Sequence, residues 1–150
     1  MRRSGTRWTS RVVTVGLLAG GLAAVLAWPR INDVETGKTA EYPDLRARDY
    51  ATSAGEVTEA VKRAVSRLPG WAFVGSGSGP GGSEVRAVRT MRWLRFKDDV
   101  TVRIRSEGRG VRVSVRSRSR LGPWDFGQNA RNIRELLAAL DGELAGRGVD

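Results

Sequence analysis

The sequence predicts an α+β fold: an N-terminal transmembrane helix, then a two-layer sandwich in the order helix, four-stranded antiparallel sheet, helix. Three observations predict it. Val12–Trp28 runs seventeen residues without a charge. Two later segments repeat apolar residues at helical spacing, each opened by a capping signal. Between them, β-branched residues alternate with polar ones at a period of two.

The chain divides into a basic tail (1–11), the span (12–28), a connector (29–52) and the α+β domain (53–146). The tail carries Arg2, Arg3, Arg7 and Arg11 and no acid. At helical rise, Trp8 to Trp28 covers roughly 30 Å, a bilayer's hydrocarbon thickness, with a Trp at each interface. Pro29 ends the helix. The charge bias predicts a signal-anchor in a bacterial cell membrane, crossing once, with the N-terminus cytoplasmic and the domain outside. A cleavable signal peptide ending at Val25-Leu26-Ala27 is the alternative. Gly16 and Gly20 form a GxxxG spacing through which two spans can approach as a homodimer.

The connector, 29–52, has little periodicity and contains the polar cluster Asn32-Asp33-Val34-Glu35-Thr36. Ser53 and Glu56 then form a capping box, and Val57, Ala60, Val61, Ala64, Val65 and Leu68 make one buried helical stripe. Pro69-Gly70 stops that helix. Trp71–Val74 starts a strand, Gly75–Gly82 reads as a flexible loop, and Glu84–Phe96 reads as one long strand. Val100, Val102 and Ile104 alternate with Thr101, Arg103 and Arg105. After a turn at Glu107–Gly110, Val111, Val113 and Val115 alternate with Arg112, Ser114 and Arg116. Asp125 and Gln128 suggest a second capping box, opening a last helix through Phe126, Ala130, Ile133, Leu136, Leu137, Leu140 and Leu144. Both helices belong on the Val face of the sheet.

Chemistry is bounded by what is missing. With no Cys and no His, thiol and imidazole catalysis and the usual zinc ligands are excluded. No cofactor is called for. Gly77-Ser-Gly79-Pro-Gly81-Gly82 matches GxGxxG, but a strand follows it, so it is no dinucleotide fingerprint. Asp98 and Asp99 are adjacent, and strand alternation points neighbours to opposite faces, so they are expected to turn the chain and pair with arginines. Asp125 is expected to cap its helix.

Net charge is +10, and Arg supplies 23 of the 26 basic residues. Residues 86–120 concentrate this charge. Alternation puts Arg103, Arg105, Arg112 and Arg116 opposite the Val stripe, and Arg118 and Arg120 continue the row. Asn129, Arg131 and Arg134 lie on the first turns of the last helix, whose N-terminus favours anions. Together they define a candidate anion-binding surface for lipid headgroups, an anionic polymer or an acidic protein. Few aromatics accompany it, so nucleic acid is not the expected partner. The competing expectation is a solvated face whose arginines satisfy local carboxylates.

Three stretches resemble the bacterial family called domain of unknown function 1499. They are Phe96–Val100, the Arg-Ser-Arg-Ser-Arg run within Val115–Gly122, and Asp125–Arg134; Ile31–Thr36 is similar to that family's entry segment. The resemblance covers about residues 31–141. It implies a one-domain protein, often preceded by membrane segments, with no assigned activity. The glycine-rich Gly75–Gly82 departs from it. The resulting expectation is a membrane-anchored, non-catalytic envelope module binding an anion through its arginine face. A scaffolding protein without a small ligand is the first alternative, and a hydrolase working without His or Cys is the last.

Overall fold

A computed structural model describes residues 30–92 and 95–146. The basic tail, the predicted span Val12–Trp28 and the Gly16/Gly20 pair lie outside the described residues. Among the described residues, no helix is long and apolar enough to cross a membrane.

The elements are β1 (Asp33–Glu35), β2 (Arg48–Tyr50), α1 (Ala54–Arg67), β3 (Trp71–Gly79), β4 (Gly82–Thr90), β5 (Lys97–Glu107), β6 (Gly110–Ser119) and α2 (Gln128–Ala145). The described sheet has six strands rather than four. Its order is β1-β6-β5-β4-β3, with β2 also pairing β6, and every pairing is antiparallel. The two additional strands come from the segment expected to be a connector. They are only three residues each and have no alternation long enough to register as a period.

β1 and β2 lie end to end along β6. Asp33–Glu35 faces Arg118–Arg116, and Arg48–Tyr50 faces Val113–Val111. Thr36 fills the gap: its N–H donates to the Val115 carbonyl (3.0 Å) and its Oγ1 accepts from the Val115 N–H (3.1 Å). A Cβ on Gly110 would lie 2.4 Å from the Tyr50 carbonyl oxygen, so only glycine lets β2 come this close. The Tyr50 hydroxyl then donates to Asp141 on α2 at 2.7 Å. Burial and that acceptor push the phenol far above its ordinary range.

α1 keeps its capping box, with Ser53 Oγ accepting from the Glu56 N–H (3.2 Å) and Glu56 accepting from the Ser53 N–H (3.3 Å). Its stripe of Val57, Ala60, Val61, Ala64 and Val65 is buried with Ile133, Leu136, Leu137 and Leu140 of α2. Both helices cover one face of the sheet, built on Val85, Ala87, Val100, Val102, Ile104, Val111, Val113 and Val115. Arg63 of α1 reaches Glu143 of α2 at 2.9 Å, and the Trp71 indole donates to Glu135 at 3.0 Å.

Two further expectations are corrected. Gly75–Gly79 is not loop but strand, paired residue by residue with Gly82–Arg86 after a bulge between Phe73 and Gly75. Backbone pairing on an exposed edge needs no side-chain burial, so composition hid it. The strand expected over Glu84–Phe96 ends at Thr90, where the chain leaves the ladder. The Met91 N–H bonds the Phe96 carbonyl instead, at 2.9 Å.

Ile104 is fully buried at the centre of the sheet. Ile104→Ala is expected to lower stability by about 2–5 kcal/mol through lost burial and a residual cavity, measured by chemical denaturation of the full chain.

Candidate functional site

The face of the sheet away from the helices is open, and strand alternation places the arginine row on it. Register decides what each arginine meets. Arg118 stands between Asp33 and Asp99, Arg116 between Glu35 and Thr101, and Arg112 between Asp49 and Arg105. Arg116 grips Asp33 with Nε at 2.8 Å and a second bond from Nη2. Arg112 holds Asp49 through two bonds, 2.8 and 3.2 Å, with Glu107 at 3.4 Å. Arg103 lies 3.3 Å from Glu35 and 3.6 Å from Glu84, and Arg120 lies 2.6 Å from Asp99. Bidentate pairs of this kind are geometrically specific. The Arg116 guanidinium holds the Asp33 carboxyl below its usual range, with Arg118 adding to the effect, and Arg112 does the same for Asp49.

Four of the six sheet arginines are therefore neutralised within the chain, three of them by acids from β1 and β2. Among the described residues, Arg105 and Arg118 make no ion pair, nor does Arg86 on β4.

The three helix residues do not join this face. Arg134 bonds Asp44 at 2.7 Å and lies over the Tyr42 ring. Arg131 donates to Gln128 Oε1 (3.0 Å) and to the Phe126 carbonyl (3.2 Å). Asn129 is buried on the opposite side of the sheet. One continuous surface of nine residues was expected; the sheet itself stands between its two halves.

On the helix side, the apolar stripe turns polar at one end. Asp98, Ser117 and Ser119 continue the phase of Val100 and Val115, and Asn129 and Asn132 continue the buried phase of Ile133 and Leu136. Ser117 Oγ donates to Asn129 Oδ1 at 2.6 Å. Asn129 Nδ2 donates to Ser119 Oγ (2.9 Å) and to the Asn32 carbonyl (3.0 Å). Asn132 Nδ2 donates to Asp98 Oδ2 (2.8 Å) and Ser117 Oγ (3.1 Å), and its Oδ1 accepts from Gln128 (2.8 Å). These buried polar groups are thus tied into one network, as burial requires.

The last helix starts at Gln128, later than its apolar pattern suggests. Phe126 and Gly127 both have positive φ, 51° and 76°, which no helix accommodates. Asp125 caps it without forming a capping box. Its two oxygens accept from the Gly127 N–H (2.8 Å) and the Asn129 N–H (2.9 Å).

Beside this seam lies a pocket of about 130 Å³. Met91, Phe96, Leu121, Trp124 and Phe126 are its apolar lining, and Lys97, Asp98, Ser119, Asp125, Gln128 and Arg131 its polar lining. Asp98 was expected to pair with an arginine. Instead it is 1% exposed, with the Asn132 amide as its hydrogen-bond partner. No hydroxyl among the described residues donates to it, because Ser117 is turned to Asn129, so no nucleophile–base pair is assembled there. Among the described residues, no three acids cluster as metal ligands would.

A helix-covered antiparallel sheet with one open arginine–carboxylate face and a buried Asn/Ser/Asp seam defines a small α+β protein. The chain belongs to the family described as "Protein of unknown function (DUF1499)", whose pattern matches residues 26–140. No curated protein matches it. Two solved structures are distantly similar. One is the crystal structure of TTHA0849 from Thermus thermophilus, at TM-score 0.40 and 14% identity over 77% of this chain and 98% of that one. The other is the crystal structure of Ara h 8.0201, at TM-score 0.34 and 11% identity over 75% and 97%.

From the sequence, Asn32 was placed in a polar cluster of the connector, but none of Asn32, Ser117, Ser119 and Asn132 was given a part in a buried network. A signal existed for three of them: each is a polar residue in the buried phase of a strand or helix.

Asn129→Leu keeps the γ-branched shape and removes every hydrogen bond of the carboxamide. It is expected to destabilise by about 1–3 kcal/mol or more, since two serine hydroxyls and a carbonyl lose a partner in the seam. Thermal unfolding of the full chain checks this.

The depressed Asp33 carboxyl makes a second prediction. A lowered folded pKa contributes stability above the unfolded value, about 3.9, and that stability is lost as pH falls through the folded value. Attachment of β1 is therefore expected to be pH-independent from about 7 to 5 and to weaken below about pH 4. Hydrogen exchange at the Val34 and Thr36 amides reads it, and Asp33→Asn should abolish the transition.

Proposed function

We propose that this protein is a membrane-anchored, non-catalytic envelope module of the bacterial cell membrane, its N-terminus cytoplasmic and its domain outside. On this reading the open sheet face rests against an extended anionic surface, either lipid headgroups or an anionic polymer. The observation that carries the proposal is the residue of unpaired charge. Arg86, Arg105 and Arg118 are spread over three strands and make no ion pair among the described residues, while Arg112, Arg116 and Arg120 are held in bidentate pairs. Arg118 and Arg105 sit towards opposite ends of the β5–β6 ladder, about 20 Å apart at strand rise. That spacing suits a surface or a chain of repeating charges better than one small anion. The seventeen uncharged residues Val12–Trp28 and the basic tail before them support the anchor and its orientation.

A scaffolding role is the second reading, favoured by the pairing of Arg103, Arg112, Arg116 and Arg120 within the chain.

Full-length protein in neutral nanodiscs is to be titrated with polyphosphate and compared with the triple variant Arg86→Ser, Arg105→Ser, Arg118→Ser. Binding at low salt is expected to fall at least about tenfold in the variant and to weaken steeply with ionic strength in the parent. Equal binding by both proteins would remove the face as the site and leave the scaffolding reading.

A further inference from the structure

We infer that the pocket beside α2 is a binding site for a small organic amine, a primary ammonium on an aromatic or branched aliphatic body. This site lies on the helix side of the sheet and is independent of the arginine face. The inference begins with Asp98. It is 1% exposed, it lines the pocket, and Asn132 Nδ2 at 2.8 Å is the one side-chain donor it receives among the described residues. A carboxylate offers about four acceptor sites. A neutral amide occupies one of them and leaves the rest without a side-chain donor among the described residues, an expensive arrangement inside a protein.

The nearby cations do not relieve it. Arg131 lines the same pocket, but its guanidinium donates to Gln128 Oε1 and the Phe126 carbonyl. Lys97 also lines the pocket, but among the described residues it makes no ion pair with Asp98. The other acid in the lining, Asp125, has both oxygens bonded to backbone N–H groups. Asp98 is thus the acid left to receive a charged donor. An ammonium supplies both missing elements, a hydrogen bond and an opposing charge.

The apolar lining selects the body of the ligand. Phe96, Leu121 and Phe126 border the pocket and are 41%, 64% and 48% exposed, three of the five large apolar side chains that reach solvent among the described residues. They border a volume of about 130 Å³, enough for one ring or a short branched chain. The backbone supports the same reading. The two non-glycine residues with positive φ among the described residues are Phe126 itself and Arg95, which precedes Phe96. Each position costs conformational energy, and each is at or next to an apolar lining residue of the pocket. Strain of this sort collects at functional sites.

Benzylamine, benzyl alcohol and benzoate share a ring and differ in the head group, so they are the probes. Full-length protein with labelled methyl groups, in neutral detergent micelles, is titrated with each at about pH 7, where the amine carries its charge. The Met91 and Leu121 methyls are expected to shift saturably with benzylamine, more weakly with benzyl alcohol, and not with benzoate. Asp98→Asn keeps an oxygen for Asn132 and should weaken benzylamine about tenfold, the loss of one charge-assisted bond. Leu121→Ser, at an exposed position that folding does not need, should weaken it about threefold. The proposal is overturned if benzoate binds as tightly as benzylamine. It is also overturned if a folded Asp98→Asn protein, or Leu121→Ser, binds benzylamine as the parent does.

Discussion

Three parts of the chain meet at the carboxamide of Asn129. Its oxygen accepts from Ser117 on β6, and its amide donates to Ser119 and to the backbone of Asn32, far earlier in the chain. Its own N–H is held by Asp125. One side chain therefore sets the height of α2 over the sheet, the place where β6 ends, and the position at which the entry segment docks. A hydrocarbon there would satisfy none of these groups, and the seam would open to water. The pocket depends on the same junction, because Asn132, one turn further along α2, fixes the Asp98 carboxylate.

The other side of the sheet is organised by charge. β6 would be an edge strand rich in arginine, a row of like charges beside unpaired backbone. β1 and β2 close that edge and bring Asp33, Glu35 and Asp49 to the open face. The same polar segment thus protects the ladder from pairing with another chain and offsets the repulsion along it. Of the arginines on this face, Arg86, Arg105 and Arg118 are left over, and it is this remainder, rather than the whole row, that makes no ion pair among the described residues.

Much of the architecture was legible. α1 announced itself through Ser53, Glu56 and a stripe of five buried residues, and β5 and β6 through strict alternation. The family was legible too, in Asp125–Arg134 and the Arg-Ser-Arg-Ser-Arg run. β1 and β2 were not, because three residues are fewer than two full periods and their burial is imposed by a partner strand. β3 was misread for the opposite reason: its glycines and serines pair through the backbone and advertise nothing. The start of α2 was placed early because apolar spacing cannot report that Phe126 lies in the left-handed region. At the site, alternation assigned each arginine to a face but not to its carboxylate, since register between distant segments is a tertiary fact. The seam was visible only as polar letters in apolar phase, a pattern that gains meaning once both elements are seen to share one interface.

The serine–glycine half of β3 has a consequence of its own. Gly77, Ser78 and Gly79 pair with Glu84, Ser83 and Gly82 on the outermost strand, beyond the last buried contact of β4 at Val85. Few side chains on the β3 half are keyed to a neighbour, so little on this outer edge measures its length. Residues can be gained or lost symmetrically about Pro80-Gly81, lengthening or trimming the projection like a telescoping arm, while the helices and the seam keep their places. In this fold, variation is least disruptive where the chain has given up its side chains.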